Sequence, residues 1–209
     1  VQPDPWADLR RHTPARIGLG RSGVALPTAE VLRLAAAHAQ ARDAVHVALD
    51  VAALDAQLRS EGWRCVTVAS RAANRDEYLR RPDLGRRLSP ADATRLQDLA
   101  AEDVALAIVI GDGLSAVAVQ RHAAPLLSAL RSAFGDAVTV APLIIATQAR
   151  VALADEIGAL LHARVALILL GERPGLSSPD SLGAYLTHAP AIVHSDAERN
   201  CVSNIRPEG

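Results

Sequence analysis

Val165-Ala166-Leu167-Ile168-Leu169-Leu170 is an unbroken apolar run closed by Gly171. It is too short for a typical helix and lacks the alternation of a strand with one wet face. A run of that kind is a strand covered on both sides, as in a parallel sheet with helices packed over it. Residues 104–110 repeat the pattern, and 138–141 with 143–146 offer another strand. Amphipathic stretches at 114–134 and from Arg150 or Val151 to residue 161 separate these runs, so the rhythm is strand, loop, helix. Upstream, Thr28 behind Pro27 opens a helix and a second helix runs from Asp50 to Gly62. Residues 64–69 alternate as a strand, and Ser89-Pro90 with Asp92 makes an N-cap with Pro in the first helical position. The predicted fold is α/β, a Rossmann-like parallel sheet with flanking helices. Residues 1–27 contain four prolines and little periodicity, and are predicted to be an extended or helical arm on a domain spanning 28–209.

Composition narrows the function classes. Half the residues are hydrophobic but only 2% are aromatic, so the core must be Ala, Leu, Val and Ile. A formal net charge of −1 gives no global field to attract nucleic acid or an anionic membrane. No Lys occurs, which excludes a Schiff-base or P-loop lysine within these residues. Cys65 and Cys201 do not make a disulfide framework, and reduced thiols in a cytoplasmic setting are the expectation. No apolar run approaches the roughly 20 residues of a membrane span. With no Met and a stop at Gly209 in mid-pattern, the domain is expected to be a piece cut short at its C-terminal end.

Open α/β sheets bind ligands just beyond the carboxyl ends of their strands. The loop from Gly171 to Gly183 follows the most apolar strand and carries Glu172, Arg173, Asp180, two prolines and three serines. It is the first candidate site. Gly111-Asp112-Gly113-Leu114-Ser115-Ala116 matches G-x-G-x-x-A, the phosphate turn of dinucleotide-binding sheets. The next strand runs into Pro142 with no carboxylate at its tip to hold a ribose, so a tight strand-to-helix turn is the better reading. Gly175-Leu176-Ser177-Ser178-Pro179 is not G-x-S-x-G, and no spacing of His or Cys suggests a metal site. Residues 74–88 interleave Arg with acids, either as a salt-bridged surface turn or as a polar contact patch. The strand-end groups suit binding a large amide- and phosphate-bearing ligand better than breaking bonds. Glu172 and Asp180 read equally as helix caps, and Cys201 as a small core hydrophobe.

A resemblance adds to this reading. Asp4-Pro5-Trp6, Thr13-Pro14-Ala15-Arg16-Ile17-Gly18-Leu19-Gly20-Arg21, His38-Ala39-Gln40-Ala41-Arg42-Asp43-Ala44-Val45-His46 and Tyr78-Leu79-Arg80-Arg81-Pro82-Asp83-Leu84-Gly85-Arg86-Arg87-Leu88 resemble the small subunits of ethanolamine ammonia-lyases. So do Asp112-Gly113-Leu114-Ser115-Ala116, Arg150-Val151-Ala152, Gly171-Glu172-Arg173-Pro174-Gly175-Leu176-Ser177 and Arg199-Asn200-Cys201-Val202-Ser203-Asn204-Ile205-Arg206, in order along the whole chain. The resemblance implies a lyase that converts ethanolamine to acetaldehyde and ammonia by radical chemistry with adenosylcobalamin. It implies a hetero-oligomer in which a TIM-barrel large subunit holds the substrate and the catalytic side chains, and cobalamin lies between the chains. Cofactor contacts carried over by motif fall on Val151, Glu172 and Cys201, with no catalytic residue in this chain. Encapsulation in a bacterial microcompartment is a further family trait. The competing expectations are a free-standing Rossmann-type NAD-dependent oxidoreductase and a purely structural docking subunit.

Overall fold

A computed structural model describes residues 2, 4–13, 15–100, 104–175 and 180–207. Before the first helix the chain folds back on itself. A 3-10 turn covers Ala7–His12, and Gln2 and Arg21 exchange backbone hydrogen bonds of 2.8 and 3.2 Å. Helix α1 (Thr28–His46) buries only Ala37 and Ala44. Helix α2 (Val51–Ser60) is capped by the Asp50 carboxylate, which accepts from Ala53 N at 2.9 Å. Strand β1 (Cys65–Ala69), helix α3 (Arg75–Arg80) and helix α4 (Pro90–Gln97) follow, then β2 (Leu106–Gly111) and α5 (Ala116–Phe134). Strand β3 (Leu143–Thr147), helix α6 (Leu153–Leu160) and strands β4 (Val165–Gly171), β5 (Leu182–His188) and β6 (Arg199–Ile205) complete the fold.

The strands form one sheet in the order β1-β3-β2-β4-β5-β6. The first four are parallel, as the apolar runs predict, with Val109 opposite Ile144 on one side and Ile168 on the other. The all-parallel expectation fails at β5 and β6, which pair antiparallel with β4 and with each other. The sheet is therefore mixed. Alternating side chains divide the core. Leu106, Ile108 and Ile110 face α2 and α5 together with Leu54, Leu58 and Leu127, while Ala107 and Val109 face α4 and α6 with Leu96, Leu153 and Ile157. Because α5 carries the chain from β2 to β3 and α6 carries it back across to β4, the two helices lie on opposite faces. The strand order reverses there, which opens a crevice at the carboxyl ends.

Two local predictions can be followed in detail. Ser89 Oγ accepts from Asp92 N at 3.2 Å with Pro90 at the first helical position. Ser89→Ala is expected to cost about 1 kcal/mol, read as a lower urea midpoint with an unchanged m-value. The charge cluster at 74–88 is not the surface turn of the simplest reading. It contains α3 and a 3-10 turn at Leu84–Arg86, Tyr78 is fully buried, and Arg87 pairs with the buried Glu156 at 3.1 Å. Interleaved charge conceals this packing because the buried contacts are made by a few residues among many exposed ones.

Candidate functional site

The carboxyl ends of β2, β3 and β4 bring three turns together. After β2, Asp112 is buried and its carboxylate accepts from Gln148 N and Ala149 N, both at 2.9 Å, with the Arg75 guanidinium 3.7 Å away. Burial pushes this carboxyl above its ordinary range against the pull of those amides and of Arg75. Asp112 thus fastens the β2 turn to the segment entering α6. The glycine beside it has a packing role: a Cβ on Gly113, at φ +56°, would lie 2.2 Å from Gly171 O. Ser115 Oγ caps α5 by accepting from Ala118 N at 3.3 Å. The G-x-G-x-x-A turn is accounted for by close strand contact.

After β3, Arg150 leads into α6. Its guanidinium stacks on the Tyr78 ring at 4.2 Å and donates to Tyr78 O at 3.1 Å, while Arg75 stands 4.7 Å from the same ring. The Tyr78 hydroxyl donates to Ala149 O at 3.0 Å. Its ionisation is pushed up to about 12, chiefly by burial, so it stays a neutral donor. Arg150 Nε is buried without a protein partner. A Cβ on Gly85 would meet Arg150 Cγ at 2.8 Å, so the guanidinium's seat depends on glycine there.

After β4, Glu172 receives three donors from its own chain. They are Ser203 Oγ at 2.7 Å, Asn204 N at 3.2 Å and the Ser181 hydroxyl. Asn204 has φ +59°, a left-handed conformation that Asn tolerates better than most residues. A Cβ on Gly183 would meet Glu172 Oε1 at 2.7 Å and Tyr185 Cε2 at 2.9 Å. Cys201 lies within β6, directly opposite Tyr185, and is exposed rather than a core residue. Tyr185 is pushed up to about 12 by burial first and then by the neighbouring Cys201 and Glu172 side chains.

These groups line two adjoining clefts of about 430 and 320 Å³. Arg150, Val151 and Tyr185 belong to both; Glu172 and Ser203 line the first, and Arg86, Asp196, Arg199 and Cys201 the second. Val151, Glu172 and Cys201 are therefore gathered around one composite opening. Asp180 lies elsewhere and caps no described helix. It pairs with Arg121 at 2.8 Å, and that bond and charge outweigh burial to hold its carboxyl below the ordinary range. Residues 176–179 of the candidate loop, including Ser177 and Ser178, lie outside the described residues.

Two acids in the first turn of α6 fasten neighbouring segments, Asp155 the β6 wall that carries Cys201 and Glu156 the segment at residues 87–88. Asp155 accepts from Arg199 Nε at 3.1 Å and also meets Arg199 Nη2, with both side chains nearly fully buried. Glu156 accepts from Leu88 N at 2.8 Å and from Arg87. At the surface, Arg86 reaches Asp196 at 3.2 Å across the second cleft. Periodicity could not reveal Tyr78, Arg150 or Tyr185 as lining groups. One compositional signal was available, because the chain has only two tyrosines and both line the first cleft. At the opposite end of the strands lies a cavity of about 370 Å³ between Trp63, Val104 and Pro142, with Arg64 its one charged lining residue among the described residues.

The described residues contain no cluster of His, Cys, Asp or Glu able to hold a metal ion, and no described helix is long and apolar enough to cross a membrane. A family model described as ethanolamine ammonia-lyase light chain (EutC) matches residues 3–209. The chain is 58% identical over 210 residues to a protein of Azotobacter vinelandii named ethanolamine ammonia-lyase small subunit, covering 99% of this chain and 78% of that one. A protein of the same name from Pseudomonas syringae pv. tomato is 56% identical over 210 residues, with 99% and 73% covered. One from Ralstonia nicotianae is 54% identical over 213 residues, with 100% and 79% covered.

Proposed function

The chain belongs to the ethanolamine ammonia-lyase light-chain family, the small subunit of a carbon–nitrogen lyase, and from that premise we propose that its composite cleft binds adenosylcobalamin against the large subunit. The observation that carries this reading is the convergence of Val151, Glu172 and Cys201, from three distant motifs, on one opening at the crevice of the sheet. The donor set suits a corrinoid. The rim of a corrin offers neutral carboxamides, and its nucleotide a ribose and a phosphodiester. The cleft presents hydroxyl and carboxylate acceptors on one side and the buried, unpartnered Arg150 Nε on the other. Pockets that enclose even drug-sized ligands run to about 300–1,000 Å³. Clefts of 430 and 320 Å³ can therefore hold only part of so large a molecule. A second wall is needed, and in this reading the large subunit, a TIM barrel carrying the substrate, supplies it.

When bound, adenosylcobalamin supplies the radical chemistry that turns ethanolamine into acetaldehyde and ammonia. This chain's own contribution is to bind, orient and shield. Val151 offers backbone and apolar surface at the approach to α6. Cys201 keeps the middle of β6 low enough for close approach, and Glu172 fixes the hydroxyls around it. Residues 28–209 form the binding unit of this reading and residues 1–27 its arm. The complex works in the cytoplasm or within a microcompartment.

The test is co-expression with the cognate large subunit, followed by an ethanolamine assay with and without adenosylcobalamin. Acetaldehyde is expected only when both chains and the cofactor are present. Glu172→Ala is expected to leave assembly intact and to weaken cobalamin binding about tenfold or more, as for a lost charge-assisted bond. Unchanged affinity would overturn the site.

A further inference from the structure

The cleft makes no use of the arm or of α1. Residues 9–29 carry four Arg and no acid, so the rest of the chain, with an overall net charge of −1, carries −5. The arm is folded closely on itself: a Cβ on Gly18, at φ +57°, would lie 2.8 Å from the Trp6 carbonyl. It is also held to the first turn of α1, where Arg10 reaches Glu30 at 3.8 Å. Of the twelve large apolar side chains exposed among the described residues, eight lie between residues 6 and 47, Trp6 and Leu32 prominent among them. Helix α1 turns Leu34, Ala37, Ala41 and Ala44 towards its own chain. At about 100° per residue, Val31, Leu32, Ala35, Ala36 and Ala39 fall on the opposite side, and all five are exposed. A surface helix keeps that side polar, whereas one that is apolar on both sides is covered on both. Helices draw most of their stability from packing, yet α1 buries only Ala37 and Ala44 of its 19 residues.

Resting on the small-subunit reading above, we infer that the folded arm and the outward side of α1 form a docking surface for the large subunit, whose matching patch is apolar at its centre and acidic around it. The α1 strip, with Trp6 and Leu9 beside it, is the centre, where burial drives association. The Ala side chains at 35, 36 and 39 let a facing wall come close to the helix backbone. A hollow of about 290 Å³ between arm and helix is lined by Arg10, Arg16 and Arg33, with Glu30 the one acid among its described lining residues. Its surplus of guanidinium groups fits a carboxylate side chain of the partner. Position identifies the occupant. Arg75 donates to Val45 O at 2.6 Å and to Gly113 O at 2.8 Å, which fixes the end of α1 to the turn after β2. Leu114, the next residue of that turn, lines the first cleft. A large subunit laid over the cleft therefore abuts α1, and the exposed strip continues the wall that the cleft already requires.

The experiment measures the Kd between the full small chain and its cognate large subunit by sedimentation velocity, at low and at high salt. Leu32→Glu replaces an exposed side chain with another good helix former, so the small chain alone is expected to keep its thermal midpoint. The same variant is expected to weaken association about thirtyfold or more, the size of a lost hot spot. Ala133→Glu, exposed near the end of α5, is expected to leave association unchanged. Arg11→Glu with Arg21→Glu is expected to weaken association at low salt and to flatten its salt dependence. With enough large subunit to restore the Leu32→Glu complex, its Kd for cyanocobalamin is expected to match wild type, because the cleft is untouched. Wild-type association by Leu32→Glu overturns the inference, and the cleft reading stands if that complex still binds cyanocobalamin. A small-subunit dimer that Leu32→Glu dissociates, with large-subunit binding unchanged, assigns the face to a second copy and equally overturns it. A wild-type complex that binds no cyanocobalamin sinks the cleft reading instead, while the Leu32→Glu association result still decides the docking surface.

Discussion

Gly171→Ala is expected to cost about 3 kcal/mol or more and to lower the thermal midpoint by roughly 6–12 °C in a chain of this size. A Cβ built at position 171 would lie 2.0 Å from Ser115 O, 2.6 Å from Ser115 C and 2.7 Å from Asp112 O. All three are backbone atoms of the turn between β2 and α5, so no flexible side chain can swing away to admit the methyl group. The contact is reciprocal, because Gly113 approaches Gly171 O and Leu114 N donates to that oxygen at 2.8 Å. Relief requires β2 and β4 to part at their carboxyl ends, where both core layers meet the cleft. Circular dichroism against temperature reads the shift directly, and a midpoint within 2 °C of wild type would show that the turn relaxes freely.

Removing Asp155 is the second large effect. Arg199 is the residue at which β6 is clamped to α6, and its side chain is 3% exposed against 2% for Asp155. Among the described residues, Asp155→Ala leaves a buried guanidinium with only Asp196, which is mostly exposed, and His194 O as partners. Breaking a buried pair from one side costs about 3–5 kcal/mol, and the remaining partners place this case near the lower end. Replacing the pair together, as Asp155→Leu with Arg199→Met, is expected to recover most of that loss because no charge is left behind. Urea unfolding of the single and double variants makes the comparison. A double variant no better than Asp155→Ala would show that the cost is one of shape rather than of charge.

Sequence reading went furthest where burial imposes a pattern. The parallel strands are legible because both of their faces are covered, leaving continuous apolar runs such as 165–170. The N-cap at Ser89 is legible because capping is local chemistry. Strand β6 gives no such signal. As the sheet's last strand it is exposed at every residue from Asn200 to Asn204, and neither run nor alternation marks it. Helix α3 spans only Arg75–Arg80, too short to display a period. The site divides in the same way. Glu172 follows from its place at the tip of an apolar strand, whereas the places of Val151 and Cys201 came from motif resemblance. Tyr185 reaches Cys201 only through the antiparallel pairing of β5 and β6, a long-range contact no local window contains.

The strand order also sets a timetable. Cys65 pairs with Leu143, so β1 has no strand neighbour until β3 has been made, roughly eighty residues later. At ribosomal speeds of about 5–20 residues per second, β1 waits roughly 4–16 s with its ladder groups unpaired. On the other side of the sheet, β4, β5 and β6 are joined to neighbours in sequence order and need no such wait. The nascent chain therefore carries an early strand open to chaperones or to another nascent copy, whereas the edge that bears Cys201 and Ser203 closes soon after its own synthesis.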